Sequence, residues 1–226
     1  MQLAKQQLDV GLFTTSDLAK QLSFWQDKVG LAFDQVLKLG EGMHQHRFHA
    51  NGSIVKVNHS LRALPYTTPS RLTGVTLVVP ELTERIQCDD PDGNWLVLVP
   101  PGYEGISGLA VELEVSDLDA AARFWGQALQ CPSPSPNKFL VGDSLVILRL
   151  GSRAAEPLKT WIGPGWRYLT IQVQDCRKEH QLALERGAIE AAPPRDYGGV
   201  AVVSFVRDAD GNFVELSERT SLKKPQ

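Results

Sequence analysis

Internal repetition constrains this chain more than any other feature. Residues 16–25 read SDLAKQLSFW and residues 116–125 read SDLDAAARFW, so Ser, Asp, Leu, Phe and Trp recur at an offset of 100 residues. DPDGNWLVL at 90–98 returns as DADGNFVEL at 208–216. SIVKVN at 53–58 returns, more weakly, as SLVILR at 144–149. Repeats of this length mark a duplicated structural unit, because one supersecondary unit cannot bury its apolar face alone.

Each unit reads as a strand, a helix and further strands. An extended segment comes first, LDVGLFTT (8–15) or LAVELEV (109–115). Ser16 and Ser116 are then the expected N-caps, with Asp17 and Asp117 in the first turn, where negative charge is favoured. Apolar residues follow at helical spacing: Leu18, Leu22, Trp25, Val29, and Leu118, Ala122, Trp125, Leu129. Trp25 and Trp125 fall on that stripe and are expected in the core. Gly30 suits a helix C-terminus. Asn51-Gly52 is a hairpin signal that pairs Ala50 with Ser53 and places Arg47 opposite Lys56. A further unit opens at RYLTIQV (167–173), continues through a helix over 176–187, and closes with VAVVSFV (200–206) and FVELS (213–217). Residues 72–99 are too short for a helix and two more strands. The expectation is three complete units and one truncated unit.

The fold class that follows is α+β: tandem βαβββ units, with the first half truncated. The linker falls in VPPGYEGISG (99–108). It divides an N-terminal domain, 1–101, whose second unit is degenerate, from a C-terminal domain, 102–226.

Composition narrows the function classes. The 226 residues, 42% hydrophobic and 22% charged, suit a packed core. A net charge of −3 without clustered Lys and Arg gives no nucleic-acid footprint. No apolar run is long enough for a membrane span, and MQLAKQQLDVG lacks the apolar stretch of a signal peptide. Cys88, Cys131 and Cys176 are odd in number and widely spaced, as expected of reduced thiols in a cytoplasmic protein.

The order of strand, SDL…FW helix, hairpin strands and closing D-x-D-G-N strand resembles the vicinal oxygen chelate superfamily over roughly residues 8–218. That superfamily includes glyoxalase I, extradiol dioxygenases and the bleomycin-resistance proteins. The resemblance implies that paired units form two curved mixed-sheet cups, with the site inside a cup. It also implies metal ligands on the first strand of each unit, usually His, and on its closing strand, usually Glu. Carried onto this sequence, those places fall on Val10, Lys56, Gly74 and Val97 in the first half. In the second half they fall on Ala110, Ile147, Tyr168 and Glu215. Only Glu215 has a side chain of the required kind, and a catalytic divalent site needs about three protein ligands. The usual His/Glu site is therefore expected to be absent and no cofactor is expected; a divalent metal (Zn, Fe, Mn or Ni) is the alternative.

Strand alternation assigns the cup-facing side chains. The second cup is expected to hold Ala110, Glu112 and Glu114, then Tyr168, Thr170 and Gln172, then Phe213, Glu215 and Ser217. The first is expected to hold Gln45, Arg47, Lys56 and Asn58 beside Val10, Leu12 and Val97. Arg47 and Lys56 can receive a carboxylate there; the alternative is that they are solvated charges on an open sheet face. Glu215, Tyr168 and Glu112 are the candidate acid/base groups. Trp95, Trp161 and Trp166 are candidates to line a pocket, with loop 152–165 as a lid. His44, His46 and His59 can share one sheet face and hold zinc or copper, the alternative being structural histidines. His180 is expected at the surface.

Three functions stay open. One is a glyoxalase, bleomycin-resistance or dioxygenase-like protein that binds a small organic molecule, anionic or aromatic, without the usual metal site. Another is a lyase, isomerase or dioxygenase using Glu215 as base or metal ligand. A remnant mediating protein contacts is a third. The expected partner is a small molecule, not nucleic acid or membrane, and the expected state is monomer or homodimer.

Overall fold

The repeated SDL segments do start helices, but the cap is the aspartate. Asp17 accepts from the Ala19 amide and Asp117 from the Ala120 amide, each at 2.9 Å. Ser16 and Ser116, the expected caps, lie one residue earlier and serve the preceding loops. The Ser16 amide bonds Thr14 Oγ1, and the Ser116 amide bonds Asp210. The Asp side chain, one bond longer than that of Ser, reaches the first free amides from the residue next to the helix. Helix α1 (Leu18–Ser23) continues as a π-helical turn over Phe24–Lys28, and α2 (Leu118–Arg123) does the same over Phe124–Ala128. The widened turn seats Trp25 and Trp125, both fully buried, in the core.

The structure, a computed structural model, describes residues 1–65, 68–151 and 157–222. The first unit is β1 (Asp9–Thr14), α1, β2 (Ala32–Gly40), β3 (Met43–Ala50) and β4 (Ser53–Ser60). The truncated unit is β5 (Leu72–Val78), β6 (Ile86–Asp89) and β7 (Trp95–Val99), with no helix. The next is β8 (Leu109–Val115), α2, β9 (Lys138–Val141) and β10 (Ser144–Leu150). It was expected to be complete, but has two strands after its helix; CPSPSPN spans the space where another would lie. The last is β11 (Gly165–Gln172), α3 (Cys176–Glu185), β12 (Ile189–Asp196), β13 (Ala201–Arg207) and β14 (Phe213–Arg219). No helix among these is long and apolar enough to cross a membrane.

The units do not pair within halves. One eight-stranded sheet has the order β12-β13-β14-β11-β1-β4-β3-β2, and one six-stranded sheet has the order β6-β7-β5-β8-β10-β9. The first unit therefore joins the last through the antiparallel seam β1·β11, and the two middle units join through β5·β8. Each sheet draws strands from both sides of residue 101, which corrects the expected pairing of units within halves. Complete units supply four strands each and incomplete ones three, so each sheet joins two units of equal strand number through their opening strands.

One continuous core lies between the sheets and helices. It takes Val10, Leu12, Val55 and Val57 from the larger sheet, Val75, Leu77, Val111 and Leu113 from the smaller, and both repeat tryptophans. Trp25 meets Trp166 edge-on at 6.0 Å. Trp166 donates to the Trp95 carbonyl at 3.3 Å and is a core residue, contrary to the pocket role expected of it. His180, expected at the surface, is buried and meets Glu190 at 2.9 Å, because α3 turns that face onto its own sheet.

Candidate functional site

The hollow of the eight-stranded sheet collects most of the residues singled out from the sequence. The Asn51-Gly52 turn has the expected register, with Arg47 opposite Lys56, Gln45 opposite Asn58 and His44 opposite His59. Lys56 and Asn58 of β4 and Gln45 and Arg47 of β3 thus line one wall. Tyr168, Thr170 and Gln172 of β11 and Phe213, Glu215 and Ser217 of β14 line the other, in parallel register. The parity of β1 is the reverse of that expected. Val10 and Leu12 pack in the core, while Asp9 bonds Gln172 and Phe13 packs near Tyr168. The LDVGLFTT segment carries one residue more before its SDL than LAVELEV does, and a one-residue slip turns a strand over. Asp9, not Val10, is consequently the residue that β1 presents to the hollow.

Lys56 is the centre of this hollow. It is 1% exposed, and its Nζ donates to Thr170 Oγ1 at 2.7 Å and to Glu215 Oε2 at 2.9 Å. Thr170 donates to the same carboxylate oxygen at 2.9 Å, closing a triangle. The ammonium also lies 5.4 Å from the centre of the Tyr168 ring, within cation–π range. Burial pulls the Lys56 amine below its ordinary range, against the raising charges of Glu215 and Asp9. Tyr168 is held by two amides: Asn58 Nδ2 and Gln45 Nε2 donate to its phenol oxygen at 3.2 and 3.3 Å. Burial, and then the Glu215 charge, push its ionisation up, so the phenol stays protonated.

Two further ion pairs flank the triangle. Arg47 Nε donates to Asp34 at 3.1 Å, and Arg47 Nη1 to Gln45 Oε1 at 3.2 Å. Although burial opposes it, Arg47 holds the Asp34 carboxyl below its usual range. Asp9 accepts from Lys5 at 2.6 Å and from Gln172 Nε2 at 3.0 Å. Asp34, on β2, and Asp9 had no sequence signal as site residues, because the charge partner that marks each lies on another strand.

The opposite end of the hollow is aromatic. Trp161 stacks on Phe205 with ring centres 4.2 Å apart and planes 8° from parallel, and meets Phe213 edge-on at 5.8 Å. Phe205 in turn meets the Tyr168 ring at 5.7 Å. Leu158, buried, joins this cluster. Of the expected lid, 152–165, residues 152–156 lie outside the described residues.

Other expected site residues are elsewhere. Ala110, Glu112 and Glu114 belong to the six-stranded sheet, with Gly74, Val97 and Ile147, so Glu112 does not meet Glu215 or Tyr168. Glu112 instead forms a two-pronged pair with exposed Arg149, at 3.0 and 3.2 Å. Glu114 lies beside Gly151, and Trp95 crosses Gly74 in that smaller hollow. His46 and His59 lie on the core side of β3 and β4. His59 Nε2 faces the Ser16 carbonyl at 3.1 Å, and both ring nitrogens of buried His46 lack partners. Among the described residues, no group of three or more His, Cys, Asp or Glu side chains is placed to hold a metal ion.

No family model and no curated protein matches the chain. Solved structures do. Glyoxalase I from Zea mays superposes with a TM-score of 0.70 at 14% identity, over 94% of this chain and 92% of that one. A candidate dioxygenase from Bacillus subtilis superposes with a TM-score of 0.69 at 13% identity, over 97% of this chain and 86% of that one. At such identities the likeness concerns the fold, and both superpositions run through nearly the whole tandem arrangement.

Proposed function

We propose that this chain, which has the tandem fold of the vicinal oxygen chelate superfamily, is a metal-free binding protein for a small organic molecule held in the hollow of its eight-stranded sheet. One observation carries the reading. That hollow holds Asp9, Lys56, Tyr168 and Glu215, and the Lys56 ammonium is hydrogen-bonded to the Glu215 carboxylate. A buried ammonium at 2.9 Å from the one surviving Glu supplies the positive charge there and repels a second cation. Tyr168 offers a protonated phenol rather than a ligand nitrogen or carboxylate. The donor set does not suit a divalent ion.

The alternative, a lyase, isomerase or dioxygenase using Glu215 as base or metal ligand, is weakened by the same triangle. Glu215 Oε2 already accepts from both Lys56 and Thr170, and Glu112, its expected partner, is on the other sheet. What supports binding is the shape of the chemistry: an aromatic end, a charged end, and side chains fixed to one another across four strands.

Elemental analysis and thermal shift test this together. The purified protein is expected to carry no stoichiometric Zn, Fe, Mn or Ni, and its melting temperature is expected not to rise with added metal. It is expected to rise with a bound organic ligand, following affinity for the native state. Stoichiometric metal that disappears in Glu215→Gln would sink the reading.

A further inference from the structure

The charges of the hollow do not balance. Lys5 pairs with Asp9, Arg47 with Asp34 and Lys56 with Glu215. Arg219, on β14 two residues beyond Ser217, is the cation left over. It makes no hydrogen bond or ion pair among the described residues, and its Nε is buried without a partner. Alternation along β14 puts Arg219 on the same face as Glu215 and Ser217, where the charges of Arg47, Glu215, Asp9 and Asp34 act on it. Burial, and then the like charge of Arg47, make the protonated form of Arg219 costly. Partly buried and without a hydrogen-bond partner, Arg219 is suited to receive a counter-ion.

The polar atoms beside it are also unmet. Ser217 Oγ and Gln172 Oε1 are both buried and without partners, and their residues face each other in the β11·β14 register. The orientation of the Gln172 amide is fixed, since its Nε2 donates to the Asp9 carboxylate, which can only accept. One end of the hollow therefore presents a free guanidinium, a free hydroxyl donor and a free carbonyl acceptor side by side. Arg47, across the hollow, has committed Nε and Nη1 only.

We infer that Arg219, with Arg47 and Ser217, receives the carboxylate of an aromatic monocarboxylic acid whose ring lies toward Phe205, Phe213 and Trp161. This rests on the hollow being the binding site. The ligand class follows from the chemistry. A guanidinium fork matches a carboxylate in geometry as well as charge. The surplus is a single positive charge, which one carboxylate neutralises. A phosphate, carrying nearly two negative charges, would face Asp9, Asp34 and Glu215 with charge to spare. Gln172 Oε1 can accept from a hydroxyl or amine next to the carboxylate. The aromatic rings at the far end offer stacking to an aromatic body.

Calorimetric titration of the full chain with benzoate, phenylacetate and indole-3-acetate, their neutral amides, and inorganic phosphate tests this. At least one acid is expected to bind more than about tenfold tighter than its amide. Arg219→Gln is expected to remove that preference while amide affinity changes by less than about threefold. Arg123→Gln, an exposed position on α2, controls for net charge and is expected to change neither. Because Arg219 has no partner, ligand-free Arg219→Gln is expected to melt at or above the wild-type temperature; a purely structural role would lower it. Acids and amides bound equally well would overturn the carboxylate inference and leave the hollow as a binding site. If neither binds, both readings fall. Phosphate bound as tightly as the best acid, or full acid affinity in Arg219→Gln, would also overturn it.

Discussion

Gly11 shows how a single residue shapes the hollow. Its φ is not in the left-handed region, so conformational freedom does not explain it. Space does: the Tyr168 ring lies across β1 at this point, and a methyl group on Gly11 would overlap the ring carbons. The ring cannot yield easily, because its hydroxyl is held by Asn58 and Gln45 and its face by Lys56. Gly11→Ala is therefore expected to cost about 1–3 kcal/mol by overpacking and to weaken ligand binding. Urea unfolding and titration of the same sample would check both, and an unchanged stability would show that Tyr168 is free to move. The smaller hollow repeats the device with Gly74 under Trp95.

Among the elements, the two SDL helices invite comparison because their sequence and shape agree so closely. Each ends with the same wide turn, the Val29 amide bonding the Phe24 carbonyl and the Leu129 amide the Phe124 carbonyl. Each then needs a left-handed residue, with φ 82° at Gly30 and 56° at Gln130. Glycine takes that conformation freely, whereas a side chain pays roughly 1 kcal/mol. Gln130→Gly is expected to stabilise the protein by up to about 1 kcal/mol, less what is lost with the bond from Gln130 Nε2 to the Gln127 carbonyl. A rise in the urea midpoint would verify it; a fall would mean that the side-chain bond dominates. The D-x-D-G-N turns also work as a pair. Asp90 and Asp208 each take two backbone amides and an Asn side chain. This frees Asp92 to hold Ser16 and Gln21, and Asp210 to hold the Ser116 amide. The motif recurs because each copy ties a closing strand to the start of an SDL helix.

For the molecule as a whole, the decisive feature is that both sheets cross the midpoint of the chain. β1 pairs with β11 and β5 with β8, so a break near residue 101 would leave every opening strand with a bare edge and the shared core split. Fragments 1–101 and 102–226 are expected to be largely unfolded apart and to recover native circular dichroism when mixed, since the chain link is needed only for proximity. Two fragments that each fold cooperatively alone would show that the seams contribute little.

The helices, hairpin register and repeated turns were legible in the sequence, because they depend on local spacing: apolar residues every three to four positions, Asn-Gly at a turn, strict alternation along β3 and β4. That Gly74, Val97, Ala110 and Ile147 carry no donor atoms on their side chains was legible too, whereas the carboxylate of Asp9 in the hollow was not. Which units share a hollow was not legible, because pairing depends on how whole sheet edges match. The face of β1 was not legible either, because one extra residue before the helix inverts it. Lys56, Glu215, Asp9 and Arg219 come from three strands spread over more than two hundred residues. Only the assembled eight-stranded sheet brings their charges close enough to act as one site.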